Sequence, residues 1–348
     1  MPRCAATVPE HAHRRAPLPA NYVSAPPGEF ELIERVLRRL APPRRAVLGA
    51  GDDCAILPPA RSRQLFTIDS MVEDVHFRLG WGTPEALGAR ALIVNLSDVA
   101  AMGGKPTACV VNLAVRTGLD AGFFERLYAG LGRAAMRAGV DVVGGNVTRA
   151  RALAITIALL GEARGAALRR DAARPGDAIY VTGTLGDAAA GLRILSGRLR
   201  AGPRAHRFLV NRFLQPSARL EAGMRLARIA PAPAAIDVSD GLWQDLGHVL
   251  ERSGTGAEID AGAIPLSPAY RATVGSDPRL ALCGGDDYEL LFCLRRELPA
   301  AVLGRRLGVP VSRIGRITSN RKAVLLNAEG VVSGRVSAFS GWDQLRPG

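Results

Sequence analysis

Five short acidic strings in an otherwise basic chain set the tightest limit on its fold. They are Gly51-Asp52-Asp53-Cys54-Ala55, Asp69-Ser70 followed by Glu73-Asp74 and His76, Asn95-Leu96-Ser97-Asp98, Asp237-Val238-Ser239-Asp240-Gly241 and Gly284-Gly285-Asp286-Asp287-Tyr288. Four fall at junctions between apolar runs, where α/β folds gather ligand-binding groups. The other lies inside a helical pattern in which Asp98 shares a stripe with Leu87, Ala91 and Val94. A lone acid on an apolar stripe must face a cation, a donor or a wet cleft, because burying it unpaired is costly. Any single string also reads as a helix cap or turn; five of one kind point to a shared site.

The rest of the composition narrows the class. The 348 residues, 48% hydrophobic and 22% charged, suffice for two cores and exclude a disordered chain. The net charge of +13 comes almost wholly from arginine, since only Lys105 and Lys322 are lysines. Arginines spread through the chain read as a solvated surface, and no nucleic-acid partner is expected. The apolar run 152–160 is half a membrane span, so no membrane partner is expected either. Residues 1–27 hold six prolines and no apolar signal core, which reads as a disordered leader. Five scattered cysteines without a C-x-x-C pair fit a reduced, cytoplasmic chain without structural zinc.

Periodicity divides the remainder into an N-terminal domain, 28–164, and a C-terminal domain, 165–348. In the first, helices are expected from Gly28 to Pro42, from Thr83-Pro84 to Met102 and over 121–138, with strands at 64–68, 107–115, 140–143 and 152–160. In the second, strands at 178–182, 234–237, 256–260 and 288–294 alternate with helices at 187–196, 217–229, 242–252 and 297–307.

Converging carboxylates with few histidine or cysteine neighbours select hard cations, and magnesium characteristically bridges carboxylates to phosphates. Two glycine turns are candidate phosphate cradles: Gly144-Gly145-Asn146-Val147-Thr148-Arg149 and Thr182-Gly183-Thr184-Leu185-Gly186-Asp187, the latter at a helix start. Each reads equally well as a plain turn. A Walker A loop and the protein-kinase motif set are missing, so a nucleotide-using enzyme of this sequence belongs to another class.

The strings GDDCA (51–55), VNLSDVAAMG (94–103), VTGTLGD (181–187), DVSDGL (237–242), GGDDYEL (284–290) and GWD (341–343), in that order, resemble the thiamine-monophosphate kinase family of the aminoimidazole ribonucleotide synthetase-like superfamily. The resemblance spans everything but the leader. It implies an α/β chain of the α+β type with two domains, a homodimer whose N-terminal sheets pair, and ATP-dependent phosphorylation of thiamine monophosphate to thiamine diphosphate. By position it implies magnesium ligands at Asp53, Asp69, Asp98, Asp237 and Asp240, with hydroxyl or backbone help from Thr67 and Ile68. It implies ATP contacts at Asp53, Asp98, Gly145, Asn146, Arg170 and Ser239, and thiamine-phosphate contacts at His76, Asp286 and Trp342. Three positions depart from the family pattern: Asn146 for an aspartate, Asp286 for a glutamate and Asp74 for a glycine.

The chemistry suits such a residue set. A phosphate monoester has a second pKa near ~6, so the acceptor is mostly a dianion at neutral pH and needs little base catalysis. What remains is positioning and charge neutralisation, which predicts direct in-line transfer without a phosphoenzyme. An indole such as Trp342 attracts the permanently cationic thiazolium, by about 0.5–2 kcal/mol. Two alternatives stand beside this reading. One is a catalytically weakened nucleotide or thiamine-phosphate binder, motivated by the three departures. The other is a different ATP-dependent member of the superfamily, although Cys4 has no lysine nearby as selenophosphate synthetase would want, and the chain ends Arg346-Pro347-Gly348 without the cysteine of the hydrogenase-maturation relative.

Overall fold

The computed structural model describes residues 28–50, 54–321, 323–327 and 330–333. The leader 1–27, Asp53 and Trp342 therefore lie outside the described residues. The chain divides into two compact units: one runs up to Val99 and takes in Lys105–Ala163, the other takes in Ala100–Gly104 and the chain from Arg164 onward.

The first unit is a four-stranded sheet in the order β1 (Arg63–Val72), β4 (Ala154–Ala163), β2 (Lys105–Val115), β3 (Asp141–Arg149). β1/β4 and β4/β2 are antiparallel; β2/β3 is parallel. Its helices are α1 (Glu29–Leu37), α2 (Pro84–Ala101) and α3 (Ala121–Ala138). The start of α2 follows from Thr83, whose Oγ1 accepts the Ala86 amide at 3.2 Å, with proline at the first helical position. α3 is capped by Asp120, whose carboxylate accepts the Phe123 amide at 2.7 Å, and ends at Gly139 in the left-handed region. One sheet face is buried: Val111, Leu113, Ile155, Ile157 and Leu159 are sealed, with Leu92, Phe124, Leu127 and Leu131 of the helices. The other face is open, leaving Phe66 71%, Ile68 61% and Val110 42% exposed.

The second unit is a seven-stranded sheet. Its order is β11 (Gly330–Ser333), β10 (Ala323–Asn327), β7 (Gly256–Asp260), β9 (Val311–Thr318), β5 (Ala178–Thr182), β8 (Glu289–Leu294), β6 (Ala234–Val238). Only β10/β7 is parallel. Both faces are covered, which explains strands that read as continuous apolar runs. Ile179, Val181, Leu291 and Cys293 join a core with Trp243, Leu246 and Val249 of α7 (Leu242–Ser253) and Tyr270 of α8 (Pro268–Val274). Their alternates Tyr180, Leu290 and Phe292 join Leu226 of α6 (Leu220–Leu226) and Leu303 and Leu307 of α10 (Ala300–Leu307). Tyr180 and Phe292, opposite one another in the register, stack at 5.4 Å between centroids. α4 (Asp187–Leu195), α5 (Pro203–Leu214) and α9 (Arg279–Cys283) complete the unit.

Two expectations need correction. Residues 144–149 do not form a turn: they continue β3, with Asn146 paired to Asn112 and Thr148 to Ala114. Gly145 is a strand glycine because a Cβ there would lie 2.1 Å from the Val111 carbonyl oxygen. Between the helices expected at 187–196 and 217–229 the chain forms a further helix, α5, opened by Pro203 behind Gly202.

Candidate active site

In the first unit, the period of β1 turns Thr67 and Asp69 toward the helix-covered face and Phe66 and Ile68 toward the open one. α2 supplies Asp98, and the Thr67 hydroxyl donates to its Oδ2 at 2.5 Å. The acid on the apolar stripe thus meets a donor. Ile68 can serve a ligand only through its main chain, because its side chain projects to the other face.

His76 sits in the loop after β1. Its Nδ1 accepts the Val72 amide at 3.1 Å, so the neutral ring carries its proton on Nε2. The Arg90 guanidinium donates to the His76 carbonyl at 3.2 Å. The same loop is anchored by buried Glu73, which pairs with Arg116 at 2.9 Å and accepts the Leu153 amide at 3.0 Å. Asp74, at the position where the resemblance expects glycine, has φ +66°. Glycine would occupy that left-handed conformation without a Cβ penalty.

Asn146 is not brought to Thr67 and Asp98. Its amide donates to Asn112 Oδ1 at 3.0 Å; Asn112 is opposite Thr156, and Thr156 bonds Ser70 at 2.7 Å. This polar row lies on the open face beside Ile68 and Val110, across the sheet from Thr67 and Asp69.

In the second unit, two loops at the end of β6 and the start of β8 carry the other candidates. The main chain holds them together: Asp286 N donates to Ser239 O at 2.8 Å and Tyr288 N to Val238 O at 2.9 Å. Gly285 permits that approach, since a Cβ there would lie 2.0 Å from the Ser239 carbonyl oxygen. Asp237 is 4% exposed at the end of β6. Asp240 accepts from Gln244 Nε2 at 3.2 Å, and Asp286, at φ +66°, accepts from the Tyr288 hydroxyl at 2.9 Å. Arg170 lies in a short 3-10 turn (Arg170–Ala172) held to α7 by the Ser253 hydroxyl, which donates to its carbonyl at 2.8 Å.

Three residues that the sequence reading passed over complete this cluster. Asp245, 2% exposed on α7, accepts the amides of Ser239, Asp240 and Gly241 at 3.0, 3.2 and 3.1 Å, all on Oδ2. Gln244 and His248 are its neighbours on the helix, and Asp240, Asp245 and His248 bring ligand atoms within 4.8 Å of one another. Asp245 was findable, because it shares a stripe with Leu242, Leu246 and Val249, the same signature as Asp98.

Electrostatically the cluster is governed first by burial, which disfavours charge on its carboxyls. Burial pushes the Asp240 carboxyl above its usual range; the nearby charge of Asp286 adds to this, while His248, the Gln244 bond and Arg170 oppose it. Asp245 is pushed well above that range by burial and by the charges of Asp237 and Asp240, against the pull of its amide donors. Crowded carboxylates that their own cations only partly compensate are a donor set that a hard divalent cation fits.

The second glycine turn is accounted for differently. The amides of Gly186 and Ala188, at the start of α4, donate to the Asp287 carboxylate at 2.6 and 3.4 Å. The helix start that offered an anion site is filled by the chain's own anion. Asp187 is likewise taken up, by the hydroxyls of Thr184 at 2.5 Å and Ser267 at 2.6 Å.

The family of AIR synthase related proteins matches the chain through its N-terminal domain at residues 51–163 and its C-terminal domain at 174–326. The thiamine-monophosphate kinase of Salmonella typhimurium is 41% identical over 307 residues, 84% of this chain and 91% of that protein. The crystal structure of thiamine-monophosphate kinase from Stenotrophomonas maltophilia K279a superposes with a TM-score of 0.76 at 38% identity, covering 86% of this chain and 96% of that one. A structure of AaThiL complexed with AMPPCP and TMP gives a TM-score of 0.70 at 32% identity, over 90% and 94% of the two chains. With relatives this similar over this much of their length, the chain belongs to the thiamine-monophosphate kinase family of the AIR synthase related proteins.

Proposed function

We propose that this chain transfers the γ-phosphoryl group of ATP to thiamine monophosphate, giving thiamine diphosphate and ADP, with Mg2+ as the metal. The observation that carries the reading is the undercompensated carboxylate cluster Asp237, Asp240, Asp245 and Asp286 beside Arg170, in a chain with close kinase relatives over nearly its whole length. A phosphate oxygen of the acceptor forms the new bond to the γ-phosphorus as the bond to the β,γ-bridging oxygen breaks, so no protein atom is phosphorylated. The acceptor is already largely a dianion, which removes the need for a protein base. The metal supplies neutralisation of the two approaching polyanions.

The residues divide by task. Asp69, Asp98, Asp237 and Asp240, with Asp53, are proposed to hold the metal, assisted by the Thr67 hydroxyl and the Ile68 main chain. Arg170 and Ser239 serve the ATP phosphates with Gly145 and Asn146, and His76, Asp286 and Trp342 hold thiamine monophosphate. Residues 28–164 then carry metal, nucleotide and dimer contacts, and 165–348 form the second domain. A neutral Asn146 brings no charge to a cation, so its part is hydrogen bonding.

The homodimer is part of the same proposal. The open sheet face exposes Phe66, Ile68 and Val110 together, and such a face is covered in a stable protein by a complementary surface. A second copy supplies one by two-fold symmetry. Asn146 lies on this face, across the sheet from Thr67 and Asp98, so the nucleotide it meets is proposed to be that held by the second copy. No helix among the described residues is long and apolar enough to cross a membrane, and Cys54, Cys109, Cys283 and Cys293 are all free, in keeping with a cytoplasmic enzyme.

Chromatography of thiamine species after incubation with ATP and Mg2+ tests the reaction. Thiamine monophosphate should be converted to the diphosphate with one ADP formed per turnover, while unphosphorylated thiamine is left untouched. Tight binding of both substrates with no conversion would make this chain a binder instead.

A further inference from the structure

We propose that Asp245 is a positioning residue of the phosphoryl-transfer site: its buried carboxylate fixes the main chain from which Ser239 and Asp240 reach metal and nucleotide. The inference rests on the function proposed above.

One oxygen of one side chain collects three consecutive amides, those of Ser239, Asp240 and Gly241, at 3.0–3.2 Å. The donors span the whole turn between β6 and α7, so this single contact sets the direction of both functional side chains. Asp245 lies on α7, whose apolar stripe of Leu242, Leu246 and Val249 is sealed in the core, so the acceptor is carried by a firmly packed element. From the other side the turn is held by Asp286 N donating to Ser239 O, with Gly285 packed underneath. A turn clamped between a buried helix carboxylate and a neighbouring loop is preorganised, which is what a metal-dependent transfer site requires.

A carboxylate here is not needed merely to satisfy a helix start. α7 begins at Leu242 behind Gly241, and one or two of the amides at its start would ordinarily find water or a capping hydroxyl. Three consecutive amides on one oxygen of a fully buried acid is more than a cap demands. That excess is understandable where the geometry of the turn matters. Partners that hold metal ligands in place typically change metal affinity 10–100-fold when removed.

The test compares Asp245→Ala and Asp245→Asn with Asp177→Asn. Asp177 is also buried and also accepts a main-chain amide, that of Arg174 at 2.9 Å. It precedes β5, at the opposite end of the sheet from Val238, about 20 Å away by strand rise. Mn2+ binding is followed by electron paramagnetic resonance and Mg2+-dependent AMPPCP binding by calorimetry, alongside circular dichroism to establish the folded fraction. Asp245→Ala should weaken folded-protein affinity for Mn2+ and for AMPPCP 10–100-fold. Asp245→Asn, which keeps an acceptor oxygen, should weaken it less. Asp177→Asn should leave both within twofold of wild type while still lowering the melting temperature. Wild-type affinity in the folded Asp245 variants, or equal losses in Asp177→Asn, overturns the positioning role and leaves the proposed function standing. A wild-type protein that binds neither Mn2+ nor AMPPCP overturns both.

Discussion

Glu289 offers a sharp test of how the second unit is held together. It is fully buried at the start of β8 and accepts from three side chains: Thr182 Oγ1 at 2.6 Å, Arg212 Nη2 at 3.1 Å and Arg219 through both Nε, at 2.6 Å, and Nη2. The partner arginines are 15% and 23% exposed, so water cannot readily replace the lost carboxylate. Glu289→Ala would strand the half-buried Arg219 guanidinium and a hydroxyl, and would leave Arg212 only the more distant Asp187 carboxylate at 3.9 Å. Breaking a buried pair from one side costs about 3–5 kcal/mol, and the partial exposure of Arg219 places the expectation near ~3 kcal/mol. For a unit of this size that is a fall in melting temperature of roughly 6–12 °C, read by calorimetry. The triple variant Glu289→Met, Arg212→Met, Arg219→Met removes both arginines with their carboxylate, gives up only the longer Arg212–Asp187 contact at 3.9 Å, and should recover at least half of the loss. A Glu289→Ala protein destabilised by less than ~1 kcal/mol, or a triple variant no better than the single one, would refute the assignment of the loss to stranded charge.

Other consequences follow from single sites. Asp74→Gly should raise thermal stability by about 0.5–1 kcal/mol, because it relieves a positive φ at the expense of one exposed ion pair with Arg78; an unchanged or lower melting temperature would contradict this. Phe66→Glu with Ile68→Glu should convert the protein to a monomer by light scattering after size exclusion, and a persistent dimer would remove the open face from the interface. The Arg126 hydrogen bonds hold the Glu85 carboxyl down at about 2, against 4.5 unperturbed. A depressed acid stabilises the fold above its unfolded value and loses that contribution as pH falls from 4.5 toward 2. The gap in melting temperature between wild type and Glu85→Gln should therefore be present at pH 7 and shrink by pH 3; a gap independent of pH would contradict the ion pair as its source.

Much of the fold was legible because the first unit's strands alternate with period two, the second unit's read as continuous apolar runs, and glycines punctuate the turns of both. The strand ending at Val238 and the helix opening at Leu242 are where the DVSDGL string predicts them. Legibility failed where the backbone meets itself at a distance. Gly144-Gly145 reads locally as a turn, yet Gly145 lies in β3 because Val111 approaches it, a contact 34 residues away in sequence. The start of α4 reads as a free anion cradle, and only the fold shows that Asp287, a hundred residues on, occupies it. Of the candidate residues, Asp98, Asp237, Asp240 and Asp286 announced themselves as acids in apolar surroundings. Asp245 did so as well, but within a stretch where DVSDGL drew attention to the turn and away from the helix that fixes it. The sidedness of Asn146 was not readable at all, since it depends on the bulge between Cys109 and Val110 that sets the β2/β3 register.

Phosphorus nuclear magnetic resonance of the protein mixed with ATP, thiamine monophosphate and Mg2+ addresses the claim that these carboxylates serve direct transfer. The monoester resonance should decay as the thiamine diphosphate pair grows in step with ADP, and chelation of Mg2+ should stop the exchange. ATP decaying to inorganic phosphate while the monoester stands unchanged, or transfer that continues undiminished in excess chelator, would contradict it.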